Sequence, residues 1–224
     1  GADVTVNKTT ITLQGRPTLT GRELVVPGDL SSAAFFLVAA LVVPGSQLSI
    51  YGVGLNPTRA RLLDFLASIG AQARILEVQQ TGGEVIGDIA MKHRPVTGGT
   101  LEGAMTAALI DEIPVLSILG AVSEQGLLVK DAKELRVKET DRIATIAENL
   151  GRMGVQVEVF PDGFHVPGQQ KFKAAQLDSF GDHRIAMAFS VAALAADGPC
   201  KIDNAEAASV SFPEFFSTLQ QIGS

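Results

Sequence analysis

An internal repeat with a period of about 70–85 residues constrains this chain more than any other feature, and that period is longer than those of the common solenoids. Three segments rich in small apolar residues, 32–43, 113–123 and 184–196, read as helices. Each stops at a turn: Pro44-Gly45-Ser46, Glu124-Gln125-Gly126 and Asp197-Gly198-Pro199. A short apolar strand follows each turn, at 48–51, 127–130 and 200–203. An amphipathic helix comes next, at 57–69, 140–153 and 213–222, with apolar residues at helical spacing. Two copies then run through a glycine into an alternating strand, at 70–75 and 154–159. Glycine just past a helix takes the left-handed conformation of a C-terminal cap cheaply. The expected fold class is α/β, or α+β depending on how the strands are counted, with repeated βαβαββ units around buried helices.

The first and last copies are incomplete. Gly1-Ala2-Asp3-Val4 repeats the glycine-plus-strand pattern without a preceding helix, and the third copy stops at Gly223-Ser224, where the others begin their last strand. Residues 1–23, with strand-like stretches at 3–7 and 10–14, are therefore expected to belong to a neighbouring domain that is otherwise missing. Residues 24–224 are expected to form one domain of three repeats, its missing final strand supplied by an N-terminal segment.

The net charge is −6 over 224 residues and no Lys/Arg-rich run occurs, which excludes a nucleic-acid footprint. With aromatics at 5% and no Trp, stacking platforms for single strands are missing as well. Hydrophobic residues make up 46%, so a folded core is expected rather than disorder. The longest apolar run, 33–44, is too short to cross a bilayer. Cys200 is the only cysteine, which rules out an intrachain disulfide and reads as a small buried hydrophobe. Any anionic substrate must be held by a few well-placed cations.

Four polar clusters sit at helix edges. Asp29-Leu30-Ser31-Ser32 precedes the first apolar helix and reads as an N-cap. Ile110-Asp111-Glu112-Ile113-Pro114 opens the second; one acid suffices as a cap, leaving the other for proton transfer. Residues 136–142 carry five charges in seven positions, which reads either as a solvated helix start or as a site. Lys138 and Arg142, four apart, would share a face if both were helical, Thr140 or Asp141 could cap, and Glu139 is an acid/base candidate beside an anion-binding helix start. Asp182-His183-Arg184 opens the third apolar helix, where Arg184 can grip a carboxylate with two parallel hydrogen bonds. His183 reads as a structural histidine or as a group titrating near neutrality. His93 and His165 have no ligand-like spacing, and neither a metal site nor a cofactor is expected.

Taken in order, Pro27-Gly28-Asp29-Leu30-Ser31-Ser32-Ala33-Ala34, the segments 110–114, 135–142 and 182–189, and Ser211-Phe212-Pro213-Glu214-Phe215-Phe216 resemble successive motifs of the C-terminal half of 5-enolpyruvylshikimate-3-phosphate synthase (3-phosphoshikimate 1-carboxyvinyltransferase). The resemblance covers essentially the whole chain and is closer to the bacterial forms called class II. It implies transfer of the enolpyruvyl group of phosphoenolpyruvate to the 5-hydroxyl of shikimate 3-phosphate, with release of phosphate, in the shikimate pathway of aromatic amino acid biosynthesis. It also implies two domains of three repeats that close over the substrates, and a cytoplasmic, bacterial-like enzyme. By position, Asp111 matches the proton acceptor near the shikimate hydroxyl, and Lys138 a lysine contacting shikimate 3-phosphate there. Glu139 matches an acid/base for the methylene carbon, and Arg142 and Arg184 match arginines that hold phosphoenolpyruvate, or glyphosate where it competes. His183, between Asp182 and Arg184, is placed with the substrate-binding set. Some members carry a lysine just before the Phe-Pro of the last motif, where Val210 and Ser211 stand here. The partner implied is the N-terminal half of the same protein, without which this half is expected to be inactive. Rival readings are a UDP-N-acetylglucosamine enolpyruvyl transferase of the same fold, and a non-catalytic assembly domain.

Overall fold

The computed structural model describes residues 1–223; Ser224, the end of the expected domain 24–224, lies outside the described residues. The chain opens with an exposed antiparallel hairpin, β1 (Val4–Asn7) and β2 (Thr10–Leu13), whose strands pair only with each other. Residues 14–27 have no regular structure, and Leu19, Leu24, Val25 and Val26 are exposed there.

Repetition then organises the chain. The first unit holds α1 (Leu30–Val42), β3 (Gln47–Gly54), α2 (Arg61–Ser68), β4 (Arg74–Thr81) and β5 (Glu84–Lys92), with sheet order β3-β5-β4. Its opening strand shrinks to a single parallel bridge between Gly28 and Val53. The second unit holds β6 (Gly99–Leu101), α3 (Gly103–Ala108), α4 (Ile113–Val122), β7 (Leu127–Val129), α5 (Arg142–Arg152), β8 (Glu158–Phe160) and β9 (Gly163–Val166), in sheet order β6-β7-β9-β8. The third holds β10 (Gln176–Asp178), α6 (His183–Leu194), β11 (Lys201–Asp203) and α7 (Phe215–Ile222). In each unit the opening segment pairs parallel with the strand after the buried helix: Gly28 with Val53, β6 with β7, β10 with β11. This is the expected βαβαββ unit, with the final hairpin present in the first two copies.

The apolar helices α1, α4 and α6 pack on one another at the centre. Their side chains are buried almost all round, and a helix apolar on every side is stable only when other elements surround it. A Cβ on Gly120 of α4 would overlap the Leu127 side chain of β7. The outer helices are amphipathic; α2 buries Leu62, Leu63, Phe65 and Leu66 and exposes Arg61, Asp64 and Ala67. The helix α7 docks through Phe215, fully buried, which meets Phe35 and Phe36 of α1 with ring centroids 5.9 and 5.5 Å apart. Phe212 and Phe216 complete this aromatic cluster, so the Ser211–Phe216 motif has a packing role.

Element ends differ from the sequence reading where local hydrogen bonds outrank periodicity. The strands expected from 70 and 154 start only at Arg74 and Glu158. Gly70 (φ +89°) and Gly154 (φ +77°) take the left-handed cap conformation, and the N–H groups of Ala71 and Val155 return to Leu66 and Leu150 to close the preceding helices. The outer helices start later than expected, at Arg61, Arg142 and Phe215. The short helix α3 has no counterpart in the sequence reading.

Candidate active site

The N-terminal ends of α1, α4, α5 and α6 meet at one end of the domain. Three of them are capped by an aspartate. Asp29 accepts from the N–H groups of Ser31 and Ser32, Asp141 from Ala144, and Asp182 from Arg184. The helix α4 is the exception: Pro114 stands in its first turn, and neither acid before it caps it as expected. Glu112 turns across to α1 instead, where Ser31 Oγ donates to its carboxylate. Asp111 turns to the cations.

Asp111 is the convergence point. Its carboxylate has Arg142 Nη1 at 3.3 Å, Lys138 Nζ at 3.7 Å and Arg184 Nη2 at 3.7 Å. Its carbonyl oxygen accepts from Arg184 Nη1 at 2.9 Å. With 32% of its side chain exposed, Asp111 can still reach a ligand. Lys138 is also held by Glu134 at 2.7 Å.

Arg142 is fully buried, and carboxylates surround its guanidinium. Nε and Nη2 donate to Asp182 at 2.8 and 3.2 Å, Nη2 to Glu139 at 2.6 Å, and Nη1 to Asp111. Burial penalises a charged Asp182, yet the Arg142 hydrogen bonds and charge hold its carboxyl below the usual range. Thr140 Oγ1 adds a donor to Asp182 at 3.2 Å. Glu139 is the exposed member of the set, at 48%.

His183 is largely buried, with Nδ1 3.8 Å from Glu139. Burial, together with the charges of Arg184 and Arg142, lowers its pKa against the carboxylates of Asp182 and Glu139, which favours the neutral ring. The pKa of Glu112 is raised, chiefly by burial.

Thus all six site residues predicted from sequence, Asp111, Lys138, Glu139, Arg142, His183 and Arg184, lie in one cluster. One expectation about their arrangement is corrected. Lys138 is extended (φ −76°, ψ −158°) and lies outside α5, so it shares no helix face with Arg142. The turn between residues 137 and 142 brings both onto Asp111. Sequence reasoning missed the fixing roles of Asp182, Glu112 and Ser31. The Asp182 cap was legible as Asp before an apolar helix; its bond to Arg142, 40 positions away, was not. Arg136 belongs to the scaffold, donating to the carbonyls of Phe160 and Pro161 and to Asp141. His93 bonds Leu41 O at 2.8 Å on another part of the domain. Among the described residues no cluster of His, Cys, Asp and Glu could hold a metal ion. Two grooves, of about 350 and 480 Å³, lie elsewhere; within the charged cluster Glu139 and Asp111 are the carboxylates open to solvent.

Cations from the second and third repeats thus converge on one carboxylate at the starts of the buried helices. The solved structure of the enolpyruvyl transferase NikO from Streptomyces tendae shares the fold, with a TM-score of 0.76 at 20% identity, over 100% of this chain and 50% of that one. A family model described as EPSP synthase (3-phosphoshikimate 1-carboxyvinyltransferase) matches residues 1–219, and the chain belongs to that family. It is 63% identical over 222 residues to a 3-phosphoshikimate 1-carboxyvinyltransferase of Solibacter usitatus, covering 99% of this chain and 52% of that protein. Its relative of the same name in Synechocystis sp. is 46% identical over 224 residues, covering 99% and 50%. The solved EPSP synthase structure from Acinetobacter baumannii superposes with a TM-score of 0.93 at 36% identity, over 99% of this chain and 52% of that one. The chain spans about half the length of the curated relatives it matches.

Proposed function

We propose that the protein of which this chain represents about half transfers the enolpyruvyl group of phosphoenolpyruvate to the 5-hydroxyl of shikimate 3-phosphate, releasing phosphate. The observation that carries this reading is Asp111 with Lys138, Arg142 and Arg184 gathered on it from the second and third repeats. Asp111 takes the hydroxyl proton as the oxygen adds to C2 of phosphoenolpyruvate, while Glu139 protonates the methylene carbon. In the second step a proton leaves the new methyl group, phosphate departs, and the two carboxylates exchange roles. Lys138 fixes the attacking hydroxyl; Arg184 and Arg142 hold the substrate anion as charge redistributes. Glu139 already occupies Nη2 of Arg142. A substrate carboxylate taking that place would free Glu139 for the carbon, and its exposure supports such a swing. Neutral His183 lines the site as a polar contact.

This half supplies one wall of the site. Residues 1–23 belong, in this reading, to the neighbouring domain; the N-terminal half of the same protein is the partner in catalysis and closes over the substrates to exclude water. The exposed apolar residues Val4, Val6, Ile11, Leu13 and Leu19 support that assignment. The whole protein works in the cytoplasm, in aromatic amino acid biosynthesis, and glyphosate competes at the same arginines. No helix of the described residues is long and apolar enough to cross a membrane.

The test is turnover with shikimate 3-phosphate and phosphoenolpyruvate, for the 224-residue chain alone and mixed with the separately expressed other half. Activity on mixing only is the expected result, since orientation across two walls supplies much of the rate. Ordinary turnover by the chain alone would overturn the half-site reading, and none after mixing two folded halves would overturn the assigned chemistry.

A further inference from the structure

Glu112 is a buried acid without a task in the reaction proposed above. Only 7% of the residue is exposed. It stands at the N-cap of α4, yet no helix N–H reaches its side chain. Its carboxylate instead accepts from Ser31 Oγ, on the first turn of α1. Ser31 Oγ also accepts from Arg59 Nη2 at 3.4 Å, and Arg59 lies 3.8 Å from Asp29, the cap of α1. On the other side, the adjoining residue Asp111 gives its carbonyl to Arg184 of α6. One dipeptide thereby joins the starts of α1, α4 and α6, one buried helix from each repeat.

We propose that Glu112 is a positioning residue: through Ser31 it pins the first peptide of α4 to α1, and so sets where Asp111 meets Arg184 and Lys138. A buried carboxyl group has to be paired or uncharged. Among the described residues no cation makes an ion pair with Glu112. Burial raises its pKa, against the Ser31 hydrogen bond and the charges of Arg184 and Arg59, and with the charge of Asp111. The raised pKa favours the protonated form, which keeps an acceptor for Ser31 and lessens the negative charge beside Asp111. Deletion of the side chain removes the tie without removing any group that faces substrate, so its effect is on their placement.

The consequence for turnover rests on the proposed function; the positioning itself does not, so two readouts are paired. In the mixed halves, Glu112→Gln, which keeps an acceptor oxygen for Ser31, is expected to retain kcat within about threefold, whereas Glu112→Ala loses about tenfold or more with KM changed little. In the 224-residue chain, the Arg184 guanidinium N–H signals are expected to stay protected from exchange in wild type and Glu112→Gln, and to lose protection in Glu112→Ala. Ser31→Ala, which removes the donor alone, should move the Arg184 signals in the same direction and keeps the test open if Glu112→Ala does not fold. A Gln variant as damaged as the Ala variant in both readouts would overturn the proposal in favour of a charged carboxylate used directly. Unchanged Arg184 signals in both Ala variants would overturn positioning altogether. Absence of turnover in the wild-type halves would sink the function and leave the Arg184 result to decide this inference.

Discussion

Arg142 and Asp182 join two repeats through a buried ion pair, Nε to Oδ2 at 2.8 Å and Nη2 to Oδ1 at 3.2 Å, with 1% and 0% of their side chains exposed. The attraction is set against the cost of drying both charges, so the pair by itself is weak evidence for net stability. Removing one member is different, because it strands a buried charge. Asp182→Asn is expected to cost about 3–5 kcal/mol, read from urea unfolding of the chain. A loss below about 1 kcal/mol would show that Glu139 and Asp111 already neutralise Arg142.

Stability should depend on pH through the three shifted groups of the candidate site. Asp182 lies below its ordinary 3.8 in the fold, so its contribution is present above 3.8 and lost as pH falls through the depressed value. His183 lies below 6.5; the unfolded chain takes the proton first, and stability falls as pH drops from 6.5. Glu112 lies above 4.5; here the folded chain holds the extra proton, and stability falls as pH rises from 4.5 to the raised value. Urea unfolding at several pH values should show the 6.5 dependence abolished in His183→Gln and the opposing slope abolished in Glu112→Gln. Profiles identical to wild type would contradict both assignments.

Phe215 anchors α7 by four ring contacts, to Phe35, Phe36, Phe212 and Phe216, with centroids 5.3–5.9 Å apart. Phe215→Ala leaves a cavity against α1 and is expected to cost about 3–5 kcal/mol, with α7 losing amide-exchange protection before α4. Equal loss in both helices would mean that α7 is not a separable unit.

For the reacting groups, Asp111→Asn keeps the shape and removes the base. Turnover of the mixed halves should fall by about 10²–10⁴-fold with substrate binding retained. Arg184→Lys cannot donate in a fork to Asp111 O and an incoming anion together, so its effect should fall on KM for phosphoenolpyruvate as well as on kcat. An Asp111→Asn enzyme with normal kcat would remove Asp111 from the mechanism.

The repeat, the three buried helices and the glycine caps at Gly70 and Gly154 were legible because their causes are local. All-round apolarity dictates a buried helix, and a glycine after a helix dictates its end. The opening strands were not legible. β6 and β10 are three residues long and the first copy has only the Gly28 bridge, too little for a pattern of alternation to register. All six candidate site residues were visible as charges at helix starts, where capping and function leave the same signature. Lys138 and Arg142 would have shared a face only if both were helical; Lys138 is extended, and a turn brings the two together on Asp111.

Residue order alone determined every numbered helix except α3, which helices are interior, and that polar clusters recur at their N-terminal ends, since each follows from spacing within a few turns of chain. Only the tertiary structure decided that these ends meet. Arg142 finds Asp182 40 positions on, and Ser31 finds Glu112 81 positions on. Those bonds form because three helices with no polar side must pack on one another, and in doing so they carry their polar starts to one place.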